Sequence, residues 1–240
     1  MRALDRGLNY WNWCGHLDGM REAVRQLGAR REQVIVAVQL EARTGPAAAE
    51  EMDRILGELR TSYLDIVTLY YVEHEPDWSE ICAPDGALGH LQQAKRGGQL
   101  RMIGLTTHQR KLGAAWAETG LLDMLMIRYN AAHRGAERDV FPITTRLGVP
   151  VVTFTGLRWR ALLEPTPDDP DDDPPPTAAE CYRFCLANPN VSIALAAPSN
   201  TAELDHMLTL LDDWRAPFDN EMQSIRAHGD RVRKHAGLFW

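Results

Sequence analysis

Two short apolar segments separated by a helical one constrain this chain more than any other feature. They lie at residues 124–127 and 149–154, and each gives way to polar, cationic or glycine residues. Each is too short for a helix of its own and largely apolar, which predicts a buried strand. Between them, residues 136–147 carry apolar side chains at helical spacing and precede Gly148, which predicts a helix and its end. A strand, helix, strand unit of this kind predicts parallel strands covered by helices.

The same alternation extends through the rest of the chain. The other predicted strands are residues 8–12, 33–39, 64–71, 100–106 and 191–196. The other predicted helices are residues 18–27, 47–59, 87–95, 109–118, 177–187, 201–211 and 221–235. Strict alternation favours either an open doubly wound sheet or a closed eight-stranded barrel. Residues 12–17 contain a single glycine, so the dinucleotide fingerprint of the open fold is absent and the barrel is favoured, with one strand unaccounted for.

Length and charge limit what the chain can do. At 240 residues and 45% apolar composition, the chain is expected to form a single domain over residues 1–240. A net charge of -7 argues against nucleic acid or an anionic membrane as a partner. Neither a bilayer-length apolar segment nor a secretion signal is found, so the default prediction is a cytoplasmic protein.

Two stretches depart from the alternating pattern. Residues 164–176 are rich in aspartate and proline, which predicts a solvated loop that buries nothing. Residues 217–240 are predicted to form a helical tail that ends in Leu238, Phe239 and Trp240. The cysteines and histidines lack the spacing of metal ligands, so no metal site is predicted.

Several stretches, spaced in order along the whole chain, resemble the aldo-keto reductase family. They are residues 3–10, 59–65, 97–106, 129–130, 151–157, 188–191 and 198–200. The resemblance implies an α/β protein, a (β/α)8 TIM barrel that reduces carbonyls with NADPH. The chain matches the family only from the end of the first helix, so the first strand and most of the first helix of such a barrel are expected to be missing.

The resemblance also implies where a catalytic set would lie. The family uses an aspartate, a tyrosine, a lysine and a histidine, and these positions fall here on Asn12, Leu17, Gln39 and Tyr70. In the family the tyrosine gives a proton to the alkoxide that hydride transfer leaves, and a neighbouring ammonium lowers its pKa. Leu17 cannot donate a proton and Gln39 brings no charge, so turnover at least about 10²-fold below ordinary enzyme rates is expected.

If the protein still reduces carbonyls, another group at the same end of the barrel must supply the proton. Tyr70 is the predicted donor because it ends its strand where the family has its histidine. His16 and His74 are the runners-up, since each closely follows a strand and histidine titrates near neutrality. His108 and His133 also follow strands, but for any one of these histidines a surface or capping role is favoured over a catalytic one.

The predicted cofactor residues fall into two groups. Thr106 and Thr107 match the pair that holds the nicotinamide amide in the family, while Phe154, with Thr155 beside it, matches the aromatic residue that stacks on the nicotinamide ring. The phosphate group is expected at the start of the last barrel helix, where backbone N–H groups bind anions, at Ser199, Asn200 and Thr201. The acidic Glu203 and Asp205 lie in that helix, so weak binding of NADPH or NADH with little preference is expected.

Three functions are compatible with the sequence. The first is an NAD(P)H-dependent oxidoreductase with an atypical or degenerate site, acting on a small-molecule carbonyl substrate. The second is a barrel that has left reductase chemistry, such as a pseudoenzyme that binds a small molecule. The third is an N-terminally truncated gene product. Without the first strand, the strands near Leu8 and Val191 would have open edges, which predicts self-association.

Overall fold

The structure is a computed structural model and describes residues 1–170 and 173–236. The chain divides into two compact units, Met1–Leu125 and Met126–Trp240, here called the first and the second unit. The predicted ends of the tail, Leu238, Phe239 and Trp240, lie outside the described residues, as do residues 171 and 172 of the predicted loop.

The first unit is a parallel sheet with helices between its strands. Its strands are β1 (Tyr10–Trp13), β2 (Ile35–Leu40), β3 (Leu64–Leu69) and β4 (Leu100–Thr107), and each pairs in parallel with the next along the chain. Its helices are α1 (Arg2–Asp5), α2 (Gly19–Arg25), α3 (Gly45–Leu59), α4 (Glu75–Ile81), α5 (Ala87–Arg96) and α6 (Arg110–Glu118), with a 3-10 turn at Gly28–Gln33. Every residue of β3 is buried, as expected for a central parallel strand.

The two faces of this sheet have different roles. The side chain of Thr107 packs toward α6, because a Cβ added at Gly113 of that helix would lie 2.9 Å from the Thr107 methyl group. Side chains alternate between faces along a strand, so Thr106 lies on the opposite face. The register places Gln39 beside Thr68, and Thr68 beside Gly104, on the same face as Thr106. This second face carries Gln39, one of the predicted catalytic residues.

The second unit contains shorter strands. Strand β5 (Met124–Arg128) begins in the first unit and ends in the second, and β6 (Val151–Phe154) pairs in parallel with β7 (Ile193–Ala194). The helices are α7 (Ala136–Asp139), α8 (Phe141–Leu147), α9 (Ala178–Leu186), α10 (Thr201–Leu208) and α11 (Asp219–His235), with 3-10 turns at Ala161–Leu163 and Thr209–Leu211. The predicted strand at 191–196 is therefore reduced to two residues.

Two predictions about helices were wrong, and proline explains both. The helix expected over residues 136–147 is two helices that meet at Val140, since Pro142 has no N–H and its ring obstructs a continuous helix. The region around Pro76 was expected to be a loop but forms α4. Pro76 lies in the first turn of that helix, where a missing N–H leaves no bond unmade.

The prediction that residues 164–176 bury nothing was also wrong. The Asp169 carboxylate is 7% exposed and accepts hydrogen bonds from the side chains of Arg231 and His228 on α11. Asp173 binds Arg231 and Ser224 of the same helix. Because Arg231 neutralises both aspartates, part of the acidic segment docks on the helix instead of extending into solvent.

The length and the polarity of the helices decide whether one of them could cross a bilayer. None of those within residues 1–170 and 173–236 combines the length and the apolar run that a bilayer crossing requires.

Candidate active site

Three of the four predicted catalytic residues lie at the C-terminal ends of neighbouring strands in the first unit. Asn12 is in β1 opposite Ala37, and Gln39 is two residues further along β2. Tyr70 directly follows β3 and its N–H donates to the carbonyl oxygen of Leu40 at 2.9 Å. By strand alternation, Asn12, Gln39 and Tyr70 point to one face. The fourth, His16, follows β1 in an exposed loop, where its carbonyl oxygen accepts from the indole N–H of Trp13.

The side-chain amide oxygen of Asn12, Oδ1, is buried without a hydrogen-bond partner in the described part of the chain. Its amide nitrogen donates to the Cys14 sulfur at 3.4 Å. A buried acceptor without a partner costs about 1 to 3 kcal/mol. Such an atom is suited to accept a hydrogen bond from a bound molecule.

Tyr70 is half-buried and stacks on the ring of Tyr71, with centroids 4.0 Å apart and planes at 24°. Burial raises the pKa of the Tyr70 phenol well above its usual value, and a side-chain hydrogen bond with Tyr71 and the nearby Cys14 and Glu41 add to this. The phenol therefore stays protonated at neutral pH and holds its proton tightly. It is a hydrogen-bond donor at this edge but a weak acid.

Arg43 follows β2, and its guanidinium is bound by backbone carbonyl groups. Its guanidinium donates to the carbonyl oxygens of Tyr70 at 2.7 Å and Tyr71 at 3.2 Å, and to that of Glu41 at 3.0 Å. It thus joins the loops after β2 and β3. Its charge serves these carbonyl groups, and the pKa of the Tyr70 phenol is raised despite it.

The sequence reasoning missed a carboxylate and histidine pair next to the tyrosines. Glu73 Oε1 accepts from the backbone N–H of His108 at 2.8 Å and lies 3.0 Å from its Nδ1. Because an ionised carboxylate only accepts, the Nδ1 atom carries the proton. The His108 ring lies 5.0 Å from the ring of Tyr71. The available signal was that Glu73 and His108 each closely follow one of two adjacent parallel strands.

The other predicted proton donors are placed differently. His74 is an exposed residue at the N-cap of α4, and His16 is exposed as well. Leu17, at the position of the family's tyrosine, is 76% exposed. Among the histidines of the first unit, His108 is therefore the one whose ring packs against the aromatic pair formed by Tyr70 and Tyr71, on the Tyr71 side.

The predicted cofactor residues of the first unit are both buried. Thr107 is turned toward α6, and its hydroxyl oxygen accepts from the backbone N–H of Gln109 at 3.0 Å. Thr106, on the opposite face, is 2% exposed and shares that face with Gln39 and Tyr70. Its side chain is the one of the two placed to meet a ligand on that face.

In the second unit, Phe154 ends β6 and is half-buried. Thr155 follows with a left-handed backbone, φ 55°, and its hydroxyl donates to the Phe154 carbonyl oxygen at 2.7 Å. The Thr155 carbonyl oxygen accepts from the amide of Asn130 at 2.8 Å. The turn after β6 is thus fixed by its own hydrogen bonds, with an aromatic ring just before it.

The start of α10, where a phosphate is predicted, already holds an anion from the chain itself. Asn200 caps the helix by accepting from the N–H of Glu203 at 2.9 Å. The Glu203 carboxylate turns back to accept from the N–H of Ser199 at 2.8 Å and pairs with Arg160 at 2.9 Å. The Ser199 N–H and then Arg160 lower the pKa of Glu203, so it is ionised at neutral pH. Thr201 is the first residue of the helix.

Each unit by itself offers groups of a kind that a nicotinamide dinucleotide can use. In the first unit these are the hydroxyl of Thr106 and the Asn12 oxygen, and in the second unit Phe154 has an aromatic face. The phosphate end fits only if Glu203 leaves the Ser199 N–H, because two anions cannot share it.

Solved structures with the same fold are aldo-keto reductases. The holo form of the aldo-keto reductase AKR11C1 from Bacillus halodurans is 19% identical with a TM-score of 0.77, over 94% of this chain and 84% of that one. An aldo-keto reductase from Klebsiella pneumoniae in complex with NADPH is 16% identical with a TM-score of 0.74, over 95% and 82%. A putative 2,5-diketo-D-gluconic acid reductase B is 20% identical with a TM-score of 0.73, over 95% and 80%.

These likenesses define the class first: a parallel α/β fold of the (β/α)8 type that lacks the first strand, as the sequence predicts. The aldo/keto reductase family itself matches residues 1–177. The chain belongs to the aldo/keto reductase family.

Proposed function

We propose that this protein is an NAD(P)H-dependent oxidoreductase that reduces a small-molecule carbonyl slowly, with Tyr70 as the proton donor. Family membership supports the reaction class. The observation that carries the proposal is the position of Tyr70, which directly follows β3 on the same face as Asn12 and Gln39. Neither nucleic acid nor a membrane is a proposed partner. We also propose that the protein is cytoplasmic and that it self-associates through open strand edges.

Each residue has a defined part in this reaction. A bound nicotinamide would supply the hydride to the carbonyl carbon. Tyr70 donates its hydroxyl proton to the carbonyl oxygen, while the Gln39 amide is a neutral hydrogen-bond donor on the same face. Gln39 brings no positive charge to stabilise the phenolate that Tyr70 becomes. Loss of an efficient general acid lowers rates by about 10² to 10⁴, so slow turnover is expected.

Cofactor binding is proposed to be weak, with little preference between NADPH and NADH. The proposed residues are Thr106 and Thr107 in the first unit and Phe154, Thr155, Ser199, Asn200 and Thr201 in the second. The NADPH complex of the Klebsiella pneumoniae protein supports a nucleotide cofactor. The ionised Glu203 opposes phosphate binding at α10.

A second candidate function is a barrel that binds a small molecule without reducing it. It is favoured by the raised pKa of Tyr70, because a phenol that holds its proton tightly is a poor acid. In either case, we propose that residues 1–240 function as one domain.

The test is oxidation of NADPH and NADH with a panel of aldehydes, quinones and keto acids. The wild-type protein is expected to turn over at least one carbonyl, and Tyr70→Phe is expected to abolish turnover. Tyr10→Phe is the matched control, because the Tyr10 hydroxyl is buried without a hydrogen-bond partner among the described residues.

Other results of this assay distinguish the alternatives. Turnover that survives Tyr70→Phe but is lost in His16→Ala would move the donor to His16. Turnover unaffected by both changes would show that the donor lies elsewhere. Binding of a nucleotide without turnover would favour the non-reductase function.

A further inference from the structure

The carboxylate of Glu73 fixes His108 at two points. The backbone N–H and the ring Nδ1 of His108 both reach the same oxygen, Oε1, at 2.8 and 3.0 Å. The two side chains are 22% and 13% exposed, so the pair is largely shielded from water. Hydrogen bonds to a charged group are stronger than those between neutral groups. The imidazole ring is therefore held in one orientation.

His108 in turn packs against the aromatic pair. Its ring lies 5.0 Å from that of Tyr71 at 39°, and Tyr71 stacks on Tyr70 at 4.0 Å. Aromatic contacts of this kind stabilise a structure beyond the effect of the apolar area that they bury. Contacts therefore run without a break from Glu73 through His108 and Tyr71 to the phenol of Tyr70.

Tyr71 needs such support because its backbone is strained. Its φ is 46°, in the left-handed region that a bulky residue rarely adopts, and its side chain is 42% exposed. Strain of this type is unfavourable and persists only when surrounding contacts impose it. Arg43 holds the carbonyl oxygens on either side of the Tyr71 nitrogen and α-carbon, and His108 holds the ring.

We propose that Glu73 and His108 are positioning residues that hold Tyr71, and through it the phenol of Tyr70, in place to protonate a substrate oxygen. This inference rests on the proposed function. In the proton transfer, the O–H bond of Tyr70 breaks, a bond from that hydrogen to the substrate oxygen forms, and the electron pair stays on the phenolate. Hydride from NAD(P)H reduces the carbonyl carbon, and water reprotonates the phenolate.

The charge state of Glu73 makes this positioning depend on pH. Burial acts to raise the pKa of Glu73, but the hydrogen bonds from the ring and backbone of His108 outweigh it and lower the pKa. The effect of a carboxyl with a depressed pKa is complete above its ordinary value of about 4.3 and is lost as the pH falls through the folded value. The ionisable groups next to Glu73 in sequence are His74, the N-cap of α4, and Glu75, the first residue of that helix, and Arg43 binds the carbonyl oxygens of Tyr70 and Tyr71.

The first measurement uses the protein without cofactor. Ring-to-ring nuclear Overhauser contacts between His108 and Tyr71, and between Tyr71 and Tyr70, are expected in the wild-type protein. Glu73→Gln is expected to weaken the His108 contact, since a neutral amide binds the ring less strongly. Glu80→Gln, an exposed glutamate of α4, is the matched control. Retention of both contacts in Glu73→Gln would overturn the positioning.

The second measurement is turnover across pH. Glu73→Gln and His108→Gln are expected to lower kcat by about tenfold, because misplacing a reacting group by a fraction of an ångström has effects of this order. KM and the Kd for NAD(P)H are expected to stay unchanged, and Glu73→Asp, which keeps the charge, is expected to restore most of kcat. The fall in wild-type kcat on the acid side is expected to disappear in Glu73→Gln.

The outcomes separate this inference from the proposed function. Wild-type turnover that Glu73→Gln and His108→Gln leave intact would overturn the positioning and leave the reductase function standing. A wild-type protein that turns over no carbonyl would overturn both. Thermal unfolding followed by circular dichroism distinguishes a folded variant with a displaced Tyr70 from a variant that does not fold. His108→Asn provides a second variant if His108→Gln does not fold.

Discussion

The two ends of the strands in the first unit differ in how completely their polar groups are hydrogen-bonded. At the N-terminal end, Asp65 is 3% exposed and accepts from Arg31 at 2.8 Å, from Arg101 at 2.8 Å and from the N–H of Val36 at 2.9 Å. The two guanidinium groups also lie over the ring of Tyr63. Both oxygens of the buried Asp65 carboxylate therefore accept hydrogen bonds.

At the C-terminal end, polar groups and backbone are less well satisfied. Asn12 has a buried oxygen without a partner among the described residues, and Tyr71 has a strained backbone. The tyrosine pair is accessible enough to meet a ligand. Unfavourable local features of this kind are tolerated where a protein binds or reacts, while the opposite end of such a sheet provides stability.

The second unit shows the same feature after β6. Thr155, Arg158, Trp159 and Arg160 all have positive φ, from 49° to 73°. Arg160 is restrained by its ion pair with Glu203. The turn after β6 is therefore strained and held by an ion pair, whereas the turn after β3 is held by hydrogen bonds from Arg43 and by ring contacts. The differences between these regions predict different responses to substitution.

The largest effect is expected at the N-terminal end of the strands. Asp65→Ala leaves Arg31, whose side chain is 12% exposed, without its carboxylate and removes the acceptor of the Val36 N–H. Breaking a buried ion pair from one side costs about 3 to 5 kcal/mol. We expect a loss of about 3 kcal/mol in the free energy of unfolding by urea, at the low end of this range because Arg101 is exposed enough to be solvated.

The control for this change is an exposed ion pair of the same unit. Asp5→Ala breaks the contact with Arg30, where the aspartate is 59% exposed, and is expected to cost about 0 to 1 kcal/mol. Equal effects of the two substitutions would contradict the view that the N-terminal end is the stabilising one.

The fold was largely predictable from the sequence, because local patterns determine it. Apolar runs bounded by turn residues located all seven strands of the described chain, and the missing first strand followed from the resemblance. The break before Pro142 was missed because periodic apolar residues on both sides hid it. Docking of Asp169 on α11 was missed because its cations are about sixty residues away in sequence.

The candidate site was predictable in part. Asn12, Gln39 and Tyr70 lie on one face because strand alternation and parallel register place them there. The pairing of Glu73 with His108 and the folding back of Glu203 depend on side-chain conformations in loops, which periodicity does not determine. The strained φ of Tyr71 leaves no mark in the sequence, since glycine is absent there.

The second effect, intermediate in size, is expected at the charged restraint after β6. Glu203→Gln removes the anion that occupies the Ser199 N–H and frees Arg160 to meet a phosphate. Nearby opposite charge and a helix start favour a phosphate by about 1 kcal/mol or more, so the Kd for NADPH should fall by about tenfold. Calorimetry with NADPH and NADH measures this.

The control removes the same charge from the same helix. Asp205→Asn is expected to change the Kd by much less, since its carboxylate is not the one bonded to the Ser199 N–H. Equal gains from the two variants would indicate a general charge effect instead of competition at the start of α10. Tight, NADPH-selective binding by the wild-type protein would contradict the blocking role of Glu203.

The smallest effect compares two residues that share a left-handed backbone but lie at opposite ends of β3. Arg60, φ 53°, ends α3 just before the strand, and Tyr71, φ 46°, follows it. Glycine adopts this conformation without strain, so Arg60→Gly is expected to stabilise the protein by about 0.5 to 1 kcal/mol with turnover unchanged. Tyr71→Gly relieves similar strain but also loses the stacking on Tyr70, about 0.5 to 1.5 kcal/mol, so no net gain is expected and turnover should fall. Urea unfolding and carbonyl turnover of both variants provide the comparison. A stabilised Tyr71→Gly protein with wild-type turnover would show that the strain at the C-terminal end has no function.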